Sequence, residues 1–190
     1  MDDSVIAGIA RWPNVPHVYG WLSLDRRGQW RLRGNPITNP HITEFIGRNY
    51  ASDERGAWFF QNGPQRVYVK LDYAPWILRT GEQQMLITHT GQAVQAASAA
   101  WLDEAGNLLI AFDQGIGLIE DRDLPALLDA VHDATGKTVS EDALMLVMSG
   151  TRLPLTLNWN EQRLPLEPLR SSDVPGHFGF IADPQPGNLG

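Results

Sequence analysis

The sequence contains no cysteine, which excludes disulfide bonds, thiolate nucleophiles and sulfur-ligated metal sites. It also lacks any run close to the roughly 20 apolar residues that a membrane-spanning helix needs. The first residues, from Met1 to Ser4, are acidic where a secretory signal would carry lysine or arginine. We therefore expect a cytoplasmic protein with no membrane partner.

Basic residues are scarce in the second part of the chain. Residues 1–81 contain ten Arg and Lys against seven Asp and Glu, whereas residues 82–190 contain five against fifteen. The isoelectric point is near 5.1, and proteins that read nucleic acids concentrate far more positive charge, so we expect no nucleic-acid partner. The basic first part could meet an anionic partner, or the two oppositely charged parts could simply attract each other.

The strongest structural signal is the stretch from Trp58 to Leu71. Two runs of strand-forming residues flank an Asn-Gly-Pro sequence at 62–64, which is typical of a hairpin turn. The second run alternates between apolar and polar residues, which predicts one buried and one outward face. The residues predicted to face the core are Val67, Val69 and Leu71, and those predicted to face outward are Arg66, Tyr68 and Lys70.

A second hairpin is predicted earlier in the chain. Its turn is Asp25-Arg26-Arg27-Gly28, because aspartate can bond its own backbone and a glycine three residues later accepts a positive φ. In the returning strand, two apolar side chains lie on one side and two basic ones on the other: Trp30 and Leu32, and Arg31 and Arg33. The preceding residues 11–20 are predicted to be an extended lead-in anchored by Trp12.

The second half is predicted to repeat the order of the first. Asn39 caps a predicted helix over residues 40–51, and Asp123 begins another. Leu102 to Gly106 matches Leu24 to Gly28, and residues 143–157 match the central hairpin. The repeat unit is then β-β-α-β-β, so we expect an α+β fold of two similar antiparallel sheets, each with a helix across one face. The alternative is that Leu-Asp-x-x-Gly, a common hairpin turn, occurs twice by chance.

Three segments follow from this organisation. Residues 1–81 are the first α+β half and residues 82–157 are the second. Six of the thirteen prolines fall between Pro154 and Pro186. Residues 158–190 are therefore predicted to be a Pro-rich extended C-terminal segment packed on the same unit.

Structural glycines, prolines and aromatic residues recur along residues 20–157. The motifs are Asp25-x-x-Gly28-x-Trp30, Gly34-x-Pro36-Ile37, Phe45, Phe59 through Pro75, Gly117-Leu118-Ile119, Ser149-Gly150 and Leu153-Pro154-Leu155. They resemble a family of uncharacterised bacterial proteins catalogued as a domain of unknown function. The resemblance implies a small duplicated α+β protein with a role in signal transduction, and the residues after Asn158 lie outside it.

No catalytic or metal-binding constellation is visible. The five histidines, at positions 17, 41, 89, 132 and 177, have no i,i+3 or i,i+4 pairing, so we predict no metal site. There is no Gly-x-Ser-x-Gly motif, and Gly115-x-Gly117 lacks the third glycine of a dinucleotide fingerprint. We therefore predict no cofactor and no catalytic residue.

The predicted functional surface is the outward face of the first half. Its residues are Arg31, Arg33, Arg66, Tyr68 and Lys70. Such a face can hold a small anionic ligand or an acidic protein partner by charge and stacking. Our leading hypothesis is a non-enzymatic binding or regulatory module that uses this face or the groove between the halves. A solvated face without a ligand is the simpler alternative.

Two further hypotheses remain. The first is an enzyme of unrecognised, hydrolase-like class that uses acidic residues such as Glu120 and Asp121 between the halves. These acids stand before a predicted helix, where carboxylates also cap backbone amides. The second is a homo-oligomer formed through the seven tryptophans and exposed strand edges.

Overall fold

The computed structural model describes residues 1–11, 15–82 and 85–187, so Trp12 and its predicted anchoring role lie outside the described residues. The chain forms two compact units, Met1–Pro75 with Gly179–Gly190, and Trp76–Phe178. The first boundary therefore differs from the predicted one at residue 81, because the strand that begins at Trp76 pairs within the second sheet. The last residues return to the first unit instead of continuing a single C-terminal segment.

The described part of the first unit contains two helices and a six-stranded sheet. The helices are α1 (Asp3–Arg11) and α2 (Pro40–Arg48). The strands are β1 (Val18–Leu24), β2 (Trp30–Leu32), β3 (Asn35–Pro36), β4 (Tyr50–Ser52), β5 (Trp58–Asn62) and β6 (Gln65–Leu71). Their order is β3-β2-β1-β6-β5-β4, and β1 runs parallel to β6 while the other neighbours are antiparallel. The prediction of a purely antiparallel sheet is therefore wrong.

The predicted helix over residues 40–51 is confirmed as the shorter α2. The side chain of Asn39 accepts a hydrogen bond from the amide of His41, and Pro40 is the first helical residue. The apolar side of α2 lies against the first sheet, where the rings of Phe45 and Phe60 are 5.4 Å apart. This sheet face is the main core of the unit, and part of the opposite face is buried under a smaller cluster around Tyr68.

The central hairpin is confirmed in its strands and its turn. Asn62 pairs with Gln65 across two residues, of which Gly63 has φ 56. A glycine with positive φ at the first central position is typical of a type II′ turn. Tyr68, in contrast, is only 2% exposed. Its side chain is on the predicted side of β6, but its predicted exposure is wrong, because other aromatic side chains cover that part of the sheet face.

In its described residues, the second unit contains three helices, the 3-10 helix Ser171–Asp173 and an eight-stranded sheet. The helices are α3 (Leu124–Leu128), α4 (Glu141–Met148) and α5 (Val174–Phe178). The strands are β7 (Trp76–Thr80), β8 (Leu86–Thr88), β9 (Ala97–Leu102), β10 (Leu108–Phe112), β11 (Gly115–Ile119), β12 (Val131–His132), β13 (Leu155–Trp159) and β14 (Gln162–Pro168). Their order is β12-β13-β14-β9-β10-β11-β7-β8, with parallel pairs β14–β9 and β11–β7.

Two predictions for the second unit are wrong. Residues 143–148 were expected to form a strand but belong to α4, whose first turn is capped by the side chain of Ser140. Their run of apolar residues fits a helix as well as a strand, and the cap decides between them. The carboxylate of Asp123 accepts a hydrogen bond from the amide of Thr80 instead of capping α3.

Six strands of the second sheet have the same connectivity as the six strands of the first. The order β11-β10-β9-β14-β13-β12 matches β3-β2-β1-β6-β5-β4, and the parallel pair β9–β14 matches β1–β6. The counterpart of the central hairpin is β13 and β14. The predicted match to residues 143–157 is therefore wrong, since α4 precedes β13 in the chain.

Among residues 1–11, 15–82 and 85–187, one type of loop occurs four times, twice in each unit. In each loop, the aspartate Oδ1 accepts hydrogen bonds from the amides two and four residues further on, and the glycine three residues on has φ between 74 and 82. The loops begin at Asp25, Asp53, Asp103 and Asp133. The turns at Asp25 and Asp103 were predicted, and the same Asp-x-x-Gly spacing marks the other two.

Candidate functional site

Three strands of the first sheet place one residue each in a row on the face opposite the core. Ser23 of β1 pairs with Arg31 of β2 on one side and with Lys70 of β6 on the other. Directly paired residues share a sheet face, so these three side chains lie on the same side. The outer two Cα atoms are about 10 Å apart, since this is twice the spacing of neighbouring strands.

An open groove of about 480 Å³ lies along this row. Its lining includes Trp21, Ser23, Arg31, Arg33, Lys70 and Asp72. Three of the five predicted site residues, namely Arg31, Arg33 and Lys70, are therefore brought to one place. Trp21 is not among the predicted site residues, although it lines this groove. The register shift of β1 between Val18 and Leu22, together with Gly20 at φ 73, accompanies its outward position.

Arg33 is the cation of the groove that is open to a ligand. Its guanidinium carbon lies 3.7 Å from the centroid of the Trp21 ring, and Trp21 is 48% exposed. Within residues 1–11, 15–82 and 85–187, Arg33 has no carboxylate partner. The stack holds the guanidinium in place through cation–π attraction and leaves its edge N–H donors available.

The backbone of Arg33 is in the left-handed region. Arg33 has φ 50 and Gly34 has φ 82, and Leu32 pairs with Asn35 across them. Two consecutive positive φ angles define a type I′ turn, which favours Asn-Gly at these positions. An arginine in the left-handed conformation costs about 1–2 kcal/mol. The turn itself therefore does not account for an arginine at position 33.

Arg31 and Lys70 have partners within the first unit. Arg31 donates from Nε to the Asp25 carboxylate at 2.8 Å and from Nη1 to the carbonyl oxygen of Gly34 at 3.2 Å. Lys70 Nζ lies 3.4 Å from a carboxylate oxygen of Asp183. Both members of the latter pair are about half exposed, so the pair contributes only about 0–1 kcal/mol and its carboxylate can be exchanged.

Tyr68 is not available at this surface. Its ring stacks on Tyr19 at 4.7 Å between centroids, and its hydroxyl donates to Asp53 at 3.2 Å. Tyr68 forms a buried cluster with Ala57 and Phe59, against which Ile181 packs. Burial raises the pKa of Tyr19, and neighbouring Tyr68 adds to the rise. The two tyrosines are therefore packing residues that hold the C-terminal segment on the sheet.

Arg66 lies apart from the groove along the row. Its guanidinium carbon is 4.5 Å from the centroid of the Phe59 ring. It lines a separate groove of about 450 Å³ with Asp53, Glu54 and Arg55. The buried ring of Tyr68 lies between Arg66 and Lys70 in the strand. The five predicted residues therefore share one side of β6 and its neighbours but do not form one site.

The second unit carries different side chains at the equivalent positions. Trp101 stands two residues before the Asp103 loop, as Ser23 stands before the Asp25 loop, and pairs with Leu109 and Glu167. The row Arg31–Ser23–Lys70 thus corresponds to Leu109–Trp101–Glu167. A sheet of this connectivity does not need basic residues at these places.

A short segment after β14 packs on Trp101, the middle residue of this row. The ring of Trp101 lies 5.7 Å from His177 and 5.0 Å from Phe178, both in α5. The amide and hydroxyl of Ser171, at the start of the segment, donate to Glu104, and these hydrogen bonds lower the pKa of that carboxyl to about 2. In the first unit, β6 is the strand equivalent to β14. Within the described residues no helix stands between β6 and β7, and the groove lies beside Ser23, the residue equivalent to Trp101.

The acidic residues of the alternative hypothesis are engaged in contacts within the second unit. Glu120 is 1% exposed, lies 3.2 Å from Arg79 Nε and forms a close ion pair with Arg122. Its carboxylate joins the ends of β7 and β11 and is not presented to solvent. No group of three or more His, Asp or Glu side chains in the described ranges is arranged to hold a metal ion. No helix of these ranges is long and apolar enough to cross a membrane.

Two solved structures that match this chain are of DUF1285 family proteins. A DUF1285 family protein from Silicibacter pomeroyi DSS-3 matches 88% of this chain and 96% of its own chain, with a TM-score of 0.54 and 17% identity. A DUF1285 family protein from Shewanella baltica OS155 matches 54% of this chain and 86% of its own, with a TM-score of 0.42 and 13% identity. The first likeness shows a common mixed α+β fold.

None of the curated proteins compared with the chain matches it. A family model, in contrast, matches residues 1–185, which is nearly the whole chain. The family is described as "Protein of unknown function (DUF2946)". The resemblance predicted from the sequence motifs, to proteins of unknown function, is confirmed at this level. The chain belongs to this family of unknown function.

Proposed function

We propose that the first unit is a non-enzymatic binding module whose groove at Arg31, Arg33 and Lys70 holds an anionic group. The proposal rests on the surroundings and the backbone conformation of Arg33. This residue is exposed, has no carboxylate partner in the described ranges, stacks on an exposed tryptophan and occupies a left-handed position that disfavours arginine. A residue held in an unfavourable conformation without a structural reason is a candidate for function.

The equivalent row of the second unit supports this proposal. Leu109 and Glu167 stand there in place of Arg31 and Lys70. The cations are therefore a property of the first unit and not a requirement of the sheet. An anion that enters the groove can accept hydrogen bonds from Arg33 and replace Asp183 at Lys70, because an exposed ion pair of this kind contributes only about 0–1 kcal/mol.

We also propose an evolutionary origin, a cellular compartment and a cellular role for this protein. The common strand order of the two sheets and their paired Asp-x-x-Gly loops support an origin by internal duplication, after which one copy gained the basic groove. The absence of cysteine supports a reducing compartment such as the cytoplasm. A binding module of this kind suits a role in signal transduction. We place no catalytic step at Glu120, because two arginines already bind it.

The proposal is tested by titrating the full chain with inorganic phosphate and with citrate. The indole N–H of Trp21 and the side-chain N–H of Arg33 are followed by NMR. We expect saturable shifts at both groups, and an affinity about tenfold lower in Arg33→Gln, because a hydrogen bond to a charged group contributes about 1.5–3 kcal/mol. The matched control is Arg163→Gln, which removes an exposed arginine of β14 in the second unit. Equal effects of the two substitutions, or no saturable shift at Trp21, would overturn the proposal.

A further inference from the structure

We infer that the groove of the first unit docks an acidic segment of a partner protein, not a free small anion. This inference rests on the proposed function, because it assigns a class of ligand to the same groove. Four observations support it: the spread of the cations along the groove, the exposed tryptophan, the segment that packs on Trp101 in the second unit, and the carboxylate that already lies on Lys70.

The cations are spread along the groove and do not converge on one point. Arg31 and Lys70 stand at the two ends of a row about 10 Å long, since it spans two strand spacings. Arg31 is further held by Asp25 and by the carbonyl of Gly34. A small-molecule pocket has a few polar groups aimed at one position. A peptide presents carboxylates every second residue, about 6.5–7 Å apart when extended, and can meet separated cations.

The exposed Trp21 gives the groove the composition of a protein interface. Tryptophan and arginine are the residues that most often dominate binding energy at such interfaces. The stacked pair of Trp21 and Arg33 offers both an apolar ring and a charged edge. An inorganic anion would contact only the charged edge and leave the ring in water. A peptide side chain can cover the ring and bring a carboxylate to the guanidinium at the same time.

In the second unit a peptide segment packs on Trp101, the residue equivalent to Ser23 at the centre of the row. The 3-10 helix Ser171–Asp173 and α5 are consecutive, and the aromatic side chains of α5 lie against Trp101. The connectivity of the sheet therefore accommodates a short peptide at this place. In the first unit the row is basic, so the complementary segment is acidic.

The chain itself already brings a carboxylate into the groove from a peptide segment. Asp183 lies 3.4 Å from Lys70, and the carbonyl of Ala182 accepts a hydrogen bond from the amide of Leu71 at 2.7 Å. Asp183 thus occupies the position that a partner carboxylate would take. Removing its charge should strengthen the docking of an acidic peptide, because Lys70 is then released to the incoming carboxylate.

The test uses the full chain and a fluorescein-labelled decapeptide of alternating Glu and Ala with one central Trp. Its counterpart replaces each Glu by Gln, and citrate serves as the small anion. We expect the Glu peptide to bind at least tenfold more tightly than the Gln peptide and than citrate. Arg33→Gln should weaken Glu-peptide binding at least fivefold, Asp183→Asn should strengthen it about twofold to fivefold, and Arg163→Gln should leave it unchanged.

The outcomes separate this inference from the proposed function. If citrate or phosphate binds as tightly as the Glu peptide and loses affinity in Arg33→Gln, the docking inference is overturned while the anion-binding proposal stands. If the peptide binds all variants equally, its site lies elsewhere and the inference is overturned. If neither peptide nor small anion binds, both fail.

Discussion

Lys70 and Glu167 occupy the same position in the two sheets. Lys70 is the last residue but one of β6 and pairs with Ser23 of the parallel strand β1, which leads into the Asp25 loop. Glu167 is the last residue but one of β14 and pairs with Trp101 of the parallel strand β9, which leads into the Asp103 loop. The connectivity of the sheet therefore tolerates either a positive or a negative side chain at this position. The first part of the chain is rich in basic residues and the second part in acidic residues. This difference in charge is found at equivalent positions of the two sheets, Lys70 and Glu167.

Arg33→Asn should leave the fold at least as stable as the wild type. Asparagine is favoured where φ is positive, so the substitution relieves part of a cost of about 1–2 kcal/mol, while loss of the stack on Trp21 removes about 0.5–1 kcal/mol. The expected net change in the free energy of unfolding is between about 0 and +1 kcal/mol, measured by urea denaturation.

Glu161→Gly is the matched control for this substitution. Asn160 and Glu161 join β13 to β14 with φ 45 and φ 62, so glycine at position 161 completes the Asn-Gly preference of a type I′ turn. We expect a gain of about 1 kcal/mol. If Arg33→Asn instead lost more than about 1 kcal/mol while Glu161→Gly gained stability, Arg33 would be a structural residue and not a binding residue.

Gly56→Ala should strongly destabilise the first unit. A Cβ at Gly56 would stand 2.0 Å from the carbonyl oxygen of Gly179 and 2.9 Å from the Cα of Phe180. The glycine also has φ +80, so both the space and the backbone conformation oppose a side chain. We expect a loss of more than about 3 kcal/mol and faster hydrogen exchange at the Ile181 amide, which donates to the carbonyl of Gly56.

The comparison for this prediction is Gly91→Ala. Gly91 has φ +87, and nothing lies within 4 Å of the position of its added Cβ. This substitution should therefore cost only the backbone term of about 1–2 kcal/mol. Similar losses for the two alanine variants would show that the contact with Gly179 is not what makes Gly56 necessary.

Acid should reduce stability through His89. Burial, together with the charge of Arg79, lowers the pKa of His89 from its usual 6.5 to about 3. Its Nδ1 accepts a hydrogen bond from the amide of Ile77 at 3.3 Å, which requires the neutral ring. Since the unfolded chain binds the proton more readily, the contribution of His89 is complete above pH 6.5 and is lost as the pH falls towards 3, by about 2 kcal/mol at pH 5.

The measurement is urea denaturation between pH 7 and pH 4, with His89→Gln as the comparison. The variant removes the titrating ring, so its stability should fall less steeply with pH over this range. Parallel pH profiles for the two proteins would contradict the assignment to His89.

Local structure was largely predictable from the sequence. The Asp25 and Asp103 turns, the central hairpin and the cap at Asn39 depend on contacts between residues a few positions apart, and those contacts are visible as spacing. The α4 helix was mistaken for a strand because its short apolar run carries no clear period, and only its cap at Ser140 distinguishes it.

The candidate site was predicted in part. Alternation correctly placed Arg31 and Lys70 on one side of their strands, where they line the same groove as Arg33. It failed at Tyr68, because alternation reports which side of a strand a residue occupies and not whether another segment covers that side. No sequence pattern indicated that Asp183 lies beside Lys70, since this ion pair joins residues more than a hundred positions apart in the chain.

The sequence by itself therefore determined the loops, most strands, the α+β class and the charge difference between the two parts of the chain. These properties depend on composition and on neighbours in the chain. Only the tertiary structure decided that β1 runs parallel to β6 and β9 to β14, that the C-terminal residues return to the first unit, and that Arg31, Arg33 and Lys70 line one groove. Strand pairing over long distances and the covering of a sheet face are set by the packing of the whole unit, which no local pattern records.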